Sequence, residues 1–176
     1  MTEQKLTKTE RLILTNQFRI RAALTKNKHE AEHFDQFAEV LERGYTLFYG
    51  EMFQTISDEM PQQECCYVLD VLEMYWGLQQ SYSQLKDKDG IESHDIVFPG
   101  FDGNNETEYM AFTRFLRKDG RFEALQATRD FNSHFPTRHK YVAMLEVWER
   151  IPSDQRFVMS AAQIRSVLNR PAKDVK

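Results

Sequence analysis

The chain has 176 residues, 41% of them hydrophobic and 12% aromatic, which suits a folded domain with a sizeable core and excludes global disorder. Seven Gly and five Pro are too few for a protein of many tight turns, so helices are expected rather than a β-sandwich. A net charge of −4 argues against a dedicated nucleic-acid binder.

The first sixteen residues mix charged and apolar side chains, unlike a secretory signal or a membrane span, and no stretch approaches 18 apolar residues. A cytoplasmic protein with no membrane partner is the expectation. Thr7 and Glu10 have capping-box spacing, which predicts a helix from Thr7 to about Leu24. After a polar break at 25–28, Phe34, Phe37, Val40 and Leu41 recur at helical spacing, and Gly44 is placed to end that helix in the left-handed conformation. The two helices suggest a hairpin, with a shorter helix over 46–55.

From Pro61 to about Leu85 a wide apolar stripe predicts the central helix of the core. Cys65 and Cys66 lie on it; neighbours form only a strained disulfide, so they are expected as reduced, buried thiols. Residues 86–105 hold Asp89-Gly90, Pro99-Gly100 and Asp102-Gly103 and read as one long loop, ordered by Val97, Phe98 and Phe101. Asn104 or Asn105 is expected to cap a helix carrying Tyr109 to Leu116, followed by a short helix over 121–127. Pro136-Thr137 opens a helix bearing Tyr141 to Trp148, and Ser160 with Gln163 is a second capping box before a terminal helix. The fold expectation is therefore an all-α, multihelical bundle-like domain. It comprises an N-terminal helical hairpin subdomain over 7–57, a main helical domain over 58–170 and a polar tail over 171–176.

Charge is separated along the chain. Residues 1–28 carry seven basic and two acidic side chains, 29–108 three and eighteen, and 109–176 thirteen and seven, or +5, −15 and +6. Complementary surfaces within one subunit or across a symmetric dimer would neutralise the acidic middle. Lys5, Lys8, Arg11, Arg19 and Arg21 form a candidate basic surface for nucleic acid. His29-Glu30-Ala31-Glu32-His33 matches H-E-x-x-H, in which two imidazoles one turn apart bind zinc beside a glutamate base, but it lies at a polar helix start with no third ligand in view. His29 and His33 are thus weak metal candidates, and neither a catalytic constellation nor a cofactor is expected. Asp102 to Glu106 resembles the start of a calcium loop without its glycine and distal glutamate, and capping explains it better. His134 and His139, beside Arg129 and Arg138, are expected to be structural.

Arg11-Leu-Ile-Leu-Thr-Asn-Gln-Phe18, Glu42-Arg-Gly-Tyr45, Asp70-Val-Leu-Glu-Met-Tyr75, Gly100-Phe-Asp102, Phe131-Asn132, Lys140-Tyr141, Met144-Leu145, Trp148 and Met159-Ser-Ala161 together make the chain resemble the YfbU family of bacterial proteins. The resemblance covers nearly the whole chain. It implies an all-helical architecture with an N-terminal hairpin beside a larger helical part, and it implies no reaction. A site shared with the family would use Arg43, Tyr45, Asp70, Glu73 and Tyr75, whereas the His29–His33 segment falls outside the family pattern. The leading functional expectation is a cytoplasmic, non-catalytic protein–protein interaction or regulatory module that forms a homo-oligomer, a dimer being favoured. The alternative is a nucleic-acid-associated regulator using basic N- and C-terminal segments, and the third a metal-dependent hydrolase using His29, Glu30 and His33.

Overall fold

The computed structural model describes residues 5–168, so the expected polar tail over 171–176 lies outside the described residues. Seven α-helices and no strand occur among them: α1 (Lys8–Leu24), α2 (Lys28–Arg43), α3 (Tyr49–Met52), α4 (Gln62–Gln84), α5 (Thr107–Lys118), α6 (Arg138–Trp148) and α7 (Ala161–Val167). The chain divides into two compact units, residues 1–59 and 60–176.

The first unit is a helical hairpin. Thr7 caps α1, its hydroxyl accepting the Glu10 N–H while the Glu10 carboxylate accepts the Thr7 N–H at 2.7 Å. Asn27 caps α2 through its side-chain oxygen, and Gly44 ends it at φ 75°, where any side chain would also run into the Arg11 guanidinium. Phe18 of α1 packs on Phe34 and Phe37 of α2, with ring centroids 6.1 and 5.2 Å apart. The single helix expected over 46–55 is replaced by a 3₁₀ turn, Thr46–Phe48, running into the four-residue α3.

The second unit is organised by α4, which buries Val68, Val71, Leu72, Met74, Tyr75 and Leu78 and packs against α5, α6 and α7. Cys65 and Cys66 depart from expectation: near the N-terminal end of α4, ahead of the core contacts, Cys65 is half-buried and Cys66 is exposed. The loop over 86–105 is ordered, as Phe98 and Phe101 insert fully into the core and form two isolated parallel bridges, with Ala127 and Asn132. Tyr75, Phe98, Phe101 and Tyr141 make a tight aromatic cluster with centroid separations of 5.2–6.1 Å. The Gln79 amide is buried beneath the loop, donating to the Ile96 and Gln126 carbonyls at 2.9 and 2.7 Å and accepting the Gln126 N–H at 2.8 Å.

Two expectations fail here. Residues 121–127 form turns, because Phe122 adopts φ 54° and Arg117 draws the Phe122 and Leu125 carbonyls to its guanidinium while Phe98 pairs with the chain at Ala127. Neither Asn104 nor Asn105 caps α5. The Asp102 carboxylate instead accepts the Asn104 N–H at 3.1 Å and the Asn105 amide, and Glu106 is the first flanking residue of the helix.

Candidate functional site

Three features of the described residues combine shape with chemistry. In the second unit, α4 and α6 border an open groove of about 480 Å³ lined by Cys66, Tyr67 and Asp70 on one side and Val142, Leu145, Glu146 and Glu149 on the other. Its floor is apolar and its charges are all negative. Burial, followed by the neighbouring Glu149 and Glu73 carboxylates, pushes Asp70 above the ordinary carboxylate range, and Arg156 offsets only part of this. The lining holds no histidine, lysine or arginine; the groups that share it with Cys66 are the Asp70, Glu146 and Glu149 carboxylates.

Beside the groove, Arg138 grips Glu64 through both guanidinium nitrogens at 2.6 and 3.1 Å, Tyr109 donates to the same carboxylate at 2.5 Å, and Arg138 also contacts the Tyr109 hydroxyl. This clamp ties α4, α5 and α6 together. The Arg138 guanidinium lies over the Tyr67 ring at 4.9 Å. The Tyr67 hydroxyl is buried without a hydrogen-bond partner, and burial, with the Glu106 charge, pushes its pKa up. Glu106 accepts four hydrogen bonds, from the Asp102 N–H (2.9 Å), the Thr137 N–H (2.9 Å) and hydroxyl (2.7 Å), and the Arg138 N–H (2.7 Å). Burial alone would raise its pKa, yet these donors outweigh it and hold the carboxyl below its usual range.

In the first unit, a hollow of about 370 Å³ opens between α2 and the 45–51 segment, lined by Phe37, Val40, Tyr45 and Phe48 with Glu39 and Glu51 among its charged residues. A separate groove along α1 gathers Lys8, Arg11 and Arg19 with Asn16 and Glu42. Arg19 is already paired with Glu42 at 2.6 Å.

The residues expected at a shared site are distributed over several environments. Tyr45 lines the hollow of the first unit, and Arg43 is exposed at the end of α2. In the second unit Asp70 lines the groove, Glu73 is exposed, and Tyr75 is buried in the aromatic cluster, where burial raises its phenol pKa. Of the basic surface, Lys8, Arg11 and Arg19 share the α1 groove, while Arg21 lies over the Phe34 ring at 4.1 Å and Lys5 precedes the helix. His29 is exposed 3.8 Å from Glu32, and His33 packs on Phe37 at 4.3 Å. Among the described residues no three His, Cys, Asp or Glu side chains gather as a metal site. His134 and His139 are exposed and line none of these features.

Tyr67, Glu146 and Glu149 escaped the sequence reading, as did Phe37 and Phe48 as lining residues. Val142, Glu146 and Glu149 are spaced by one and two helical turns, which marks a common face of α6, but nothing local shows that this face lies across from Asp70.

No helix among the described residues is long and apolar enough to cross a membrane. A UPF0304 protein of Methanocaldococcus jannaschii is 39% identical over 175 residues, an alignment that spans 93% of this chain and 99% of the relative. The resemblance to bacterial proteins thus extends to an archaeon. The YfbU domain model matches residues 4–170, and with that coverage the chain belongs to the YfbU family.

Proposed function

We propose that the protein is a helical interaction module that self-associates as a dimer and acts by contact rather than by catalysis. The observation that carries this reading is the outer face of α1. Ile13, Ile20 and Leu24 lie on one stripe, 54, 53 and 76% exposed, on the side of the helix opposite the inward-facing Thr15, Phe18 and Ala22. Spacings of seven and four residues are those of a helix-pairing seam. In the same unit Leu12, Tyr45, Leu47, Phe48 and Ile56 are also exposed, whereas Thr15, Phe34, Ala38, Leu41 and Tyr49 are its buried described residues. A unit that exposes more large apolar side chains than it buries has a surface suited to a partner. Sedimentation equilibrium of the full chain tests the reading: a dimer that dissociates when Ile13, Ile20 and Leu24 are replaced by Ser supports it, and a wild-type monomer at all attainable concentrations sinks it.

A second reading has its own observation, the gathering of Lys8, Arg11 and Arg19 in one groove along α1, cations of the kind that neutralise nucleic-acid phosphates. It calls for binding that weakens steeply with salt. Unchanged fluorescence anisotropy of labelled DNA and RNA at low salt would remove it.

A further inference from the structure

We propose that the groove between α4 and α6 is a docking site for a basic amphipathic helix of a partner protein. The helix sets its aliphatic side chains on the groove floor and its Lys or Arg side chains against Asp70, Glu146 and Glu149. This contact is separate from self-association, since the lining residues belong to the second unit and the α1 stripe to the first.

Shape sets the kind of occupant. The lining runs from Gln62 to Asp70 on α4 and from Val142 to Glu149 on α6, about 10–12 Å on each wall at 1.5 Å per residue. Two turns of each wall match two turns of a third helix laid along the channel, the helix-in-groove mode of recognition. Tyr67 and Leu145 contribute to the floor, and Val142 is 41% exposed there, so an aliphatic side chain placed against it removes apolar surface from water on both sides.

Charge sets the sign of the occupant. Among the described residues the groove is lined by three carboxylates and by no Lys or Arg. Two cations that touch lining residues are engaged elsewhere: Arg138 lies over the Tyr67 ring but is clamped to Glu64, and Arg156 directs its guanidinium to the Ile151 and Glu149 carbonyls at 3.0 and 3.1 Å. Glu146 and Glu149 occupy the last turn and the C-cap of α6, the negative pole of that helix, and no basic residue stands in the turn. Carboxylates gathered at a negative pole beside an apolar floor repel one another, and a Lys or Arg on an incoming helix relieves the repulsion where it arises. An apolar partner would bury these charges unpaired, and an acidic one would add to the repulsion.

Fluorescence anisotropy of the full chain with a labelled helical peptide of about fifteen residues tests the proposal. The peptide carries Leu at i, i+4 and i+7 with Lys on both flanks of that stripe, and a scrambled peptide of the same composition breaks the stripe. Saturable binding is expected, weakened by about tenfold or more for the scrambled peptide, for Val142→Lys, and for the combined variant Asp70→Asn, Glu146→Gln, Glu149→Gln. The same loss of charge at exposed positions of α2, through Glu32→Gln, Asp35→Asn and Glu39→Gln, is expected to leave affinity within about threefold of wild type. Equal affinity for the scrambled peptide, or equal losses in the two charge variants, would reduce the binding to attraction between net charges and overturn the proposal. So would the absence of saturable peptide binding, or binding of spermidine that needs the three carboxylates while the patterned peptide fails, which would assign the groove to a small organic cation. Thermal melts confirm folding, and Cys66→Lys, at an exposed position of the lining, replaces Val142→Lys should that variant unfold. The chain with Ile13, Ile20 and Leu24 replaced by Ser is expected to bind the peptide as the wild type does, so failure of self-association and failure of docking are read separately.

Discussion

Glu106 shows how much one side chain can organise. It flanks the start of α5, and its carboxylate also takes the free N–H groups of Thr137 and Arg138 at the start of α6, a negative charge set at a helix N-terminus. Glu106→Gln keeps the shape and loses the charge, and by the usual strength of hydrogen bonds to charged groups it should cost about 1.5–3 kcal/mol at pH 7. Because the folded-state pKa is depressed below the ordinary 4.5, this stabilisation is complete above that value and is lost as pH falls through the lower folded-state value. Urea midpoints of wild type and variant should therefore separate at pH 7 and converge as the pH falls below the ordinary carboxylate range; a pH-independent gap would mean that the charge is not what matters. Gly77 is a second such residue. A Cβ there would stand 2.1 Å from the Trp148 ring and 2.7 Å from the Arg156 carbonyl, so Gly77→Ala should destabilise by about 1–3 kcal/mol despite the better helix propensity of alanine, as measured by denaturant unfolding.

At the scale of elements, the segment over 86–105 belongs to the core, and Gln79 is its anchor. Gln79→Leu fills similar space but leaves the Ile96 carbonyl and the Gln126 N–H without their buried partner, while the Gln126 carbonyl keeps only the Phe98 N–H. Unsatisfied buried groups at about 1–3 kcal/mol each predict a loss of at least about 2 kcal/mol, together with faster hydrogen exchange at Phe98 and Thr128, the amides that bridge the two segments. Unchanged exchange there would show that the aromatic insertions hold the loop alone. The same contrast between local and distant partners explains what was legible in the sequence. The capping boxes at Thr7 and Ser160 and the left-handed Gly44 were readable because their partners lie within a few residues. The cap of α6 was not, since Glu106 reaches it across 31 residues, and the turns over 121–127 follow from Arg117 and Phe98 overriding a helical-looking stretch. The groove shows the same limit: Asp70 was picked out from its neighbours on α4, whereas Glu146 and Glu149 become its companions only through the packing of α6.

Across the whole molecule, the two units differ in how much core they bury. Residues 60–176 contain the aromatic cluster and the 23-residue α4, whereas the described part of residues 1–59 buries few side chains and leaves an apolar ridge uncovered. Small units with so little core commonly need a further source of stability, and on the proposed reading the hairpin finds it in association. The separation of charge along the chain acts in the same unit, since the basic α1 and acidic α2 pair through Arg19 and Glu42 within the hairpin. Local opening of α1 and α2 should then depend on dimerisation, while opening of α4 should not. By mass action, a tenfold rise in free partner well above the dissociation constant adds up to about 1.4 kcal/mol to the opening free energy of the hairpin. Hydrogen exchange followed by mass spectrometry over a hundredfold range of protein concentration should accordingly show peptides of α1 and α2 gaining protection with concentration, while those of α4 and the 96–101 segment stay constant. Protection of α1 and α2 that ignores concentration would place the source of the hairpin's stability outside association.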